Sequence, residues 1–418
     1  MRIRFLGACR EVGRSAIAVQ DDDGQILLDY GVIMNHEVGF PMHVPTKDLK
    51  AIILSHAHLD HSGLLPLFYI QGRVPIYSVE PTFQLTNLLI KDFIHLSGYY
   101  LPYEYIDLQT MLSHCVNPGY RRQFTVGESQ ATLLNAGHIP GSSQIMLEND
   151  GKKLLYTGDF NDSSTRLLNP ADQNFDDLDA LIIESTYANE DHADRTKMED
   201  EFVSKVTDVV RDGGIVLVPA FGVGRSQEII SILAAHHFEY PVFVDGMALD
   251  AIEVFMNNTE ALADPDLFRR AVKTADWIEK WNDRRRAVRT PSVIVSPAGM
   301  LKGGAAMFYM EQIARKRENA VFLVSYQIPG TPGSILLKKK RFMFHGKAKK
   351  VEARVDQFDF SSHVGKSELE KRLSKLDKKT KVFTMHGAEK NCTKLASWAS
   401  REMGLEAISP KTGETYEI

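Results

Sequence analysis

Short apolar and β-branched runs open the chain. Ile3 to Leu6, Ala16 to Gln20 and Gln25 to Asp29 are separated by Gly or Asp clusters, the pattern of short strands joined by turns. Ala51 to Leu54 is a buried strand that leads straight into a His-rich loop. Over 80–110 the spacing of Phe83, Leu85, Leu88, Leu89 and Ile94 changes to that of buried helical faces. Strand patterns return over 121–160, at Gln130 to Asn135, Ser143 to Glu148 and Lys153 to Tyr156.

After Glu184 the texture changes again. A helix is predicted over 196–211, a strand at Ile215 to Pro219, a Gly222-Val223-Gly224 turn, a helix from Ser226 to Ala235 and a strand at Val242 to Asp245. Buried-strand runs follow at Val293 to Ser296 and Val321 to Ser325, so this stretch reads as a parallel α/β unit. Short-strand texture is expected to resume near residue 346. The predicted organisation is one fold at 1–185, an inserted α/β unit at 186–345, and a return to the first fold at 346–418.

The length of 418 residues exceeds one ordinary core and agrees with two domains, or with one domain carrying a large insertion. A formal charge of −5 excludes a general polycation, so any nucleic acid must meet a local basic surface. Cys9, Cys115 and Cys392 are scattered and odd in number and form no Cys-x-x-Cys, so neither a disulfide framework nor a zinc knuckle is indicated. They fit a reducing cytoplasm. No signal peptide and no membrane-length apolar run is present, and the chain starts at its first strand and ends soon after its last motif, so no further domain is expected.

The densest chemistry is His56-Ala57-His58-Leu59-Asp60-His61. Imidazole nitrogens and carboxylate oxygens are the ligands that zinc-like ions take. A loop leaving a strand aims His56 and His58 at one ion, and the next turn aims Asp60 and His61 at a second. A capped helix start with solvated histidines is the bland alternative, and four ligand-type residues in six positions argue against it. His138 and Asp159 each follow a strand and are candidates to meet at the same sheet edge, although each alone suits an ordinary turn.

The order Asp29, His56-x-His58-x-Asp60-His61, His138, Asp159 resembles the metallo-β-lactamase superfamily. The resemblance implies an αββα sandwich with a dinuclear site of two zinc ions, manganese being the alternative. His56, His58 and His138 would hold one metal, Asp60 and His61 the other, with Asp159 bridging and Asp29 orienting the ligands from behind.

Glu184 in Ile-Ile-Glu-Ser-Thr-Tyr, His363 in Phe-Asp-Phe-Ser-Ser-His and His386 in Val-Phe-Thr-Met-His-Gly resemble motifs A, B and C of the β-CASP nucleases, the branch with an inserted α/β domain. His386 would complete the second metal's ligand set, and its presence favours RNA-processing members. Further marks at Glu11 to Ser15, Gly222 to Glu228, Ser296 to Met300 and Tyr326 to Thr331 resemble the nuclease subunit of the cleavage and polyadenylation specificity factor and its archaeal homologues. Motif B departs from relatives in continuing His363-Val364-Gly365, and neither N-terminal KH domains nor the C-terminal domain of ribonuclease J relatives is expected.

The resemblance implies hydrolysis of RNA phosphodiester bonds by a water activated between two metals, leaving 5′-phosphate and 3′-hydroxyl ends. Asp60, His363 and Glu184 would act at the reacting atoms, His363 as acid for the leaving oxygen with Glu184 supporting its protonated form. Single-stranded RNA is the expected partner, and a homodimer the expected assembly. Lys338, Lys340 and their basic neighbours, the Arg284 to Arg286 cluster near Trp277 and Trp281, and Arg225 at its Gly-rich turn are candidate phosphate contacts along a cleft between domains. Ser361, Ser362 and Gly365 are candidates for a 5′-phosphate. A solvated face is the bland reading of each basic cluster. A small-molecule hydrolase, a DNA-directed nuclease and an RNA-binding scaffold with little activity are the rival functions. The remaining histidines are expected to be ordinary surface or packing residues.

Overall fold

The strands sort their side chains between two cores. Ile3, Phe5, Ile17, Val19, Ile26, Leu28, Ala51 and Ile53 join one buried cluster, whereas Leu6, Ala16, Ala18, Leu27, Ile52 and Leu54 join another. That alternation is the period-two geometry of a strand with both faces covered. A computed structural model describes residues 1–21, 24–34, 37–97, 100–173 and 175–418.

The first sheet orders its strands Thr415–Glu417, Arg2–Gly7, Ala16–Asp21, Gly24–Tyr30, Leu49–Ile53, Ile76–Tyr77 and Cys115–Val116. The second orders them Glu406–Ile408, Lys381–Met385, Ala180–Glu184, Lys152–Tyr156, Ser143–Asn149, Ser129–Asn135 and Gln123–Val126. Ala131, Leu133, Ile145, Leu147, Leu154, Tyr156, Ile182 and Phe383 of the second sheet share the core that Ile3 and Phe5 enter, so the sheets stack face to face. Helices Glu80–Ser97 and Tyr105–Leu112 cover the outside of the first sheet, through Phe83, Ile90, Phe93, Leu108 and Met111. Helices Lys366–Leu373 and Glu389–Met403 cover the outside of the second, through Leu369, Leu373, Leu395 and Ala399. The result is the αββα sandwich that the family resemblance implies.

The chain divides into two compact units: 1–164, 169–191 and 362–418 in one, and 165–168 with 192–361 in the other. In the second unit a parallel sheet runs in the order Ala275–Ile278, Val242–Asp245, Ser292–Ser296, Ile215–Pro219, Ala320–Leu323 and Arg354–Gln357. Its central strands are buried at every residue, as expected where helices cover both faces. Two features differ from the sequence reading. Arg354–Gln357 pairs in parallel register with Ala320–Leu323, so the inserted unit continues to Ser361 instead of closing near 345. Beyond it short strands do resume, but the helices Lys366–Leu373 and Glu389–Met403 alternate with them. The basic run is a hairpin of Arg341–Phe344 and Lys347–Lys350, anchored by buried Phe342 and Phe344.

Candidate metal centre

Every candidate ligand lies in the first unit, at the ends of strands. The strand Leu49–Ile53 runs out through Leu54 and Ser55 into His56, and a single helical turn, Leu59–Ser62, carries Asp60 and His61. His138 stands three residues beyond the strand Ser129–Asn135, and Asp159 three beyond Lys152–Tyr156. His386 follows Lys381–Met385 directly, and Glu184 ends Ala180–Glu184. Parallel pairing of Ala180–Glu184 with both Lys152–Tyr156 and Lys381–Met385 brings three of these strand ends to one edge.

The backbone is tailored to close approach. A Cβ on Gly31 would lie 1.9 Å from the carbonyl oxygen of Asp60, so only glycine lets the loop after Gly24–Tyr30 pass the ligand turn. Asp29 and His386 adopt left-handed φ of 56° and 49°, a conformation that costs energy for residues with a Cβ and recurs at functional sites. Hydrogen bonds hold His386 there: its N–H donates to Ala8 O at 2.8 Å, and its carbonyl accepts from Ser185 N at 3.2 Å and Thr186 Oγ1 at 3.1 Å.

Two clusters share Asp159: His56, His58, His138 and Asp159, and Asp60, His61, Asp159 and His386. In the first, His58 Nδ1 lies 3.2 Å from His56 Nε2 and 3.1 Å from His138 Nε2, while Asp159 Oδ2 is 3.7 Å and 3.8 Å from the latter two nitrogens. Ligands at about 2.0–2.1 Å from a tetrahedral centre stand about 3.3 Å apart, so this spacing fits a zinc-like ion. In the second, His386 Nε2 is 3.3 Å from Asp60 Oδ2, and Asp159 Oδ1 lies 3.0 Å from His386 Nδ1 and 3.5 Å from His61 Nε2. Asp159 Oδ1 is buried and accepts no hydrogen bond of good geometry despite those neighbours. A buried acceptor left this way suits a cation.

The surrounding partners fix which ring nitrogen faces inward. His138 Nδ1 is 2.9 Å from the carbonyl of Ser362, and His61 Nδ1 is 2.7 Å from Asp29 Oδ2. Both partners can only accept, so Nδ1 carries the proton and Nε2 presents its lone pair to the cluster. Asp29 also accepts from Ser55 N and Ser55 Oγ, each at 2.7 Å, and from the Tyr156 hydroxyl at 2.8 Å. The sequence pattern marks Tyr156 only as a strand residue and does not single out Ser55. The one sequence signal for Tyr156 is a hydroxyl at a core-facing position two residues before Gly158-Asp159.

Electrostatics separates the two clusters. Burial, with His61 next, holds His56 well below the usual imidazole range, and burial with His363 does the same for His138. Burial also lowers His58. All three therefore stand neutral, the state a ligand needs. Burial opposes charge at His61 too, but Asp159 and Asp29 overcome it and raise the imidazole to about 10, so a cation bound there must displace the Nε2 proton before that lone pair is free. Burial likewise disfavours a charged Asp159, yet His386 and His61 keep it well below the usual carboxylate range.

Beside Asp159 stands a third group. Both carboxylate oxygens of Glu184 approach His363 Nδ1, at 3.0 and 3.1 Å, and Glu184 Oε1 also accepts from Phe160 N at 2.9 Å. Glu184 is 1% exposed, whereas the His363 side chain keeps 21% of its surface open. Burial would lower the His363 pKa, but the charge and hydrogen bonding of Glu184 raise it. His363 also packs against His138, ring centroids 4.5 Å apart.

The candidate RNA contacts are more dispersed. Ser362 spends its carbonyl on His138, and Gly365 N donates to Glu368 Oε2 at 3.2 Å as the cap of the following helix. Ser361, Arg225, Lys338 and Lys340 belong to the second unit. Arg225 begins the helix Arg225–Ala235 after Gly224, and Lys338 lies in the last turn of Pro332–Lys339. Lys340 caps that helix with left-handed backbone, and its Nζ donates to Val355 O at 2.7 Å, so part of its hydrogen-bonding capacity holds the fold together. His192-Ala193-Asp194, which mimics motif B, lies in the second unit, where Asp194 caps the helix Arg195–Arg211. His236 pairs with buried Glu199 at 3.4 Å, and His36 falls outside the described residues.

Residues 9–199 match the metallo-beta-lactamase superfamily, 226–336 the Beta-Casp domain, and 349–410 the Zn-dependent metallo-hydrolase RNA specificity domain. A protein named RNase aCSPSF2 from Saccharolobus solfataricus is 40% identical over 420 residues, spanning all of this chain and 85% of that one. A protein named Probable RNase MJ4 from Methanocaldococcus jannaschii is 35% identical over 430 residues, across the whole of both chains. Transcription termination factor FttA from Pyrococcus abyssi is 32% identical over 469 residues, covering this chain and 71% of its own length. A crystal structure of a protein of unknown function from Enterococcus faecalis shares the fold, with a TM-score of 0.63 at 14% identity and 99% coverage of both chains. With ligand-type residues clustered at the strand ends and relatives matched along its full length, the chain belongs to the β-CASP branch of the metallo-β-lactamase superfamily.

Proposed function

We propose that the chain is a two-zinc ribonuclease that hydrolyses phosphodiester bonds of single-stranded RNA, leaving 5′-phosphate and 3′-hydroxyl ends. The observation that carries this reading is the Glu184–His363 pair standing against the His/Asp cluster through their common neighbour Asp159. His56, His58 and His138 would hold one ion, Asp60, His61 and His386 the other, with Asp159 shared. Bound there, two divalent ions supply an activated water and neutralise charge building on the phosphate oxygens.

The chain's own residues supply the rest. Asp29 locks His61 in one tautomer, and the Ser362 carbonyl does the same for His138. Glu184 keeps a proton on His363 Nδ1 and favours the imidazolium, leaving Nε2–H to protonate the departing 3′ oxygen. No nucleophilic side chain is required. The RNA specificity match and the ribonuclease names of the relatives support RNA over a lactam, thioester or lactone substrate. Ser361, Ser362, Gly365, Arg225, Lys338 and Lys340 are proposed substrate contacts, and a homodimer in the cytoplasm is the proposed working form.

The test is digestion of end-labelled RNA by the wild type and His363→Ala in metal-replete protein. The expected result is 5′-phosphorylated products from the wild type and a rate loss of about 10²–10⁴-fold in the variant, with metal retained. A variant that cuts at the wild-type rate removes the acid assignment, and a wild type that cuts no RNA removes the function.

A further inference from the structure

The inserted unit carries an aromatic and cationic cluster that the metal centre does not use. The helix Trp281–Ala287 is fixed at its start by Asp283, whose carboxylate accepts from Lys280 N at 2.9 Å. Trp281 is 50% exposed, a large apolar area for a ring that could bury itself. It leans on Phe308, with ring centroids 4.8 Å apart. Two guanidinium groups stand over it, Arg284 at 5.9 Å and Arg285 at 6.0 Å from the ring centroid.

These two arginines differ in kind. Arg284 is clamped by both oxygens of Asp245, at 2.8 and 3.0 Å, and buried Asp245 also accepts from the buried Tyr309 hydroxyl at 2.6 Å. Asp245 ends the strand Val242–Asp245 and Tyr309 lies on the helix Ala305–Ile313, so the core of the unit sets where Arg284 stands. Arg286 turns away, to Asp276 at 3.6 Å and over Phe243. Arg285 is exposed and makes no ion pair among the described residues.

A half-open indole beside one fixed and one unneutralised guanidinium matches what a single strand offers, a base face next to a phosphate. Packing alone requires neither a half-exposed indole nor an unpaired cation beside it. We propose that the helix Trp281–Ala287 is a docking surface for single-stranded RNA, where Trp281 stacks on a base and Arg285 meets the adjoining phosphate. The proposal rests on the ribonuclease reading for its ligand and concerns grip instead of chemistry. It is a contact outside the metal cluster, made by a unit that holds none of the candidate metal ligands.

The test is a fluorescence titration of the full-length chain with a nuclease-resistant single-stranded oligoadenylate. The tryptophans are Trp277, Trp281 and Trp398, so the signal can be assigned by substitution. Binding is expected to quench the wild type, and Trp281→Phe to lose most of that quench. Trp281→Ala and Arg285→Glu are expected to weaken binding by roughly fivefold or more. An abasic strand is expected to bind more weakly without quenching. Trp281→Phe and Arg285→Glu leave the packing on Phe308 in place, which separates docking from folding. A quench that survives Trp281→Phe, together with wild-type affinity in Arg285→Glu, overturns the proposal. RNA cleavage by the same proteins keeps the two claims apart. Quenching without cleavage sinks only the ribonuclease reading, and cleavage without a Trp281 signal sinks only this surface.

Discussion

His363 Nδ1 lies 3.0 Å from Glu184 Oε1, although the two are 179 positions apart in the chain, with nearly all of the inserted unit between them. The contact is made inside the first unit, where the strand Ala180–Glu184 leaves the sandwich and residue 362 re-enters it. Glu184→Gln preserves the shape of the pair and removes the charge. As the proposed acid, His363 would act below its pKa, so activity that depends on it falls as pH rises through that pKa. Glu184 is what raises the pKa against the lowering effect of burial. The variant should therefore move the alkaline limb of the pH–rate profile to lower pH. An unmoved limb would assign that limb to another group.

The Tyr156 hydroxyl is buried behind the candidate ligands. Its bond to Asp29 at 2.8 Å helps aim the carboxylate that orients His61. Tyr156→Phe keeps the ring in the core and deletes one donor to a buried carboxylate, a change worth about 1.5–3 kcal/mol where a charged partner is involved. Metal affinity, read by competition with a chromophoric chelator, should fall about 10-fold. Wild-type affinity in a folded variant would make Tyr156 a packing residue only.

Gly31→Ala should be costly out of proportion to its size. The added methyl would meet Asp60 O at 1.9 Å and Asp60 C at 2.0 Å, both backbone atoms that cannot rotate away. Either the Asp60 turn shifts and metal is lost, or the loop shifts and stability drops by about 3 kcal/mol or more. Thermal melting with metal analysis distinguishes these, and a variant equal to wild type in both would contradict the close approach.

The six residues from His56 to His61 were legible because a strand end and one helical turn place all of their ligands locally. Glu184, His363 and His386 were not legible that way. Each is a single residue at a strand end or loop, and only resemblance to a family joined them. Tyr156 escaped notice because the target of a hydroxyl depends on which sheet faces which. The strand Arg354–Gln357, which extends the compact second unit past residue 345, gave little signal because it is a short edge strand, exposed at two of its four positions and carrying little apolar pattern. The helices Met247–Asn257 and Pro265–Thr274 lay in a stretch to which no elements had been assigned. Both have apolar residues at helical spacing, so the signal was there.

The second unit has its own buried charge network, and its stability can be probed apart from catalysis. Arg195 bonds Glu199 Oε1 at 3.1 Å and also pairs with Glu228, while Arg166 reaches Glu199 Oε2 at 2.8 Å. The two carboxylates are nearly fully buried. Arg195→Ala leaves part of that negative charge uncompensated, which should cost about 3 kcal/mol. The denaturant midpoint of the chain should drop, with metal content unchanged. An unchanged midpoint would show that Arg166 and His236 suffice.

The most direct check on the metal centre is elemental analysis of purified, RNA-cleaving protein beside His386→Ala. Two equivalents of a transition metal per chain are predicted for the wild type, with about one equivalent lost from the variant. Active wild-type protein that holds no such metal would contradict the assignment of these imidazoles and carboxylates as ligands.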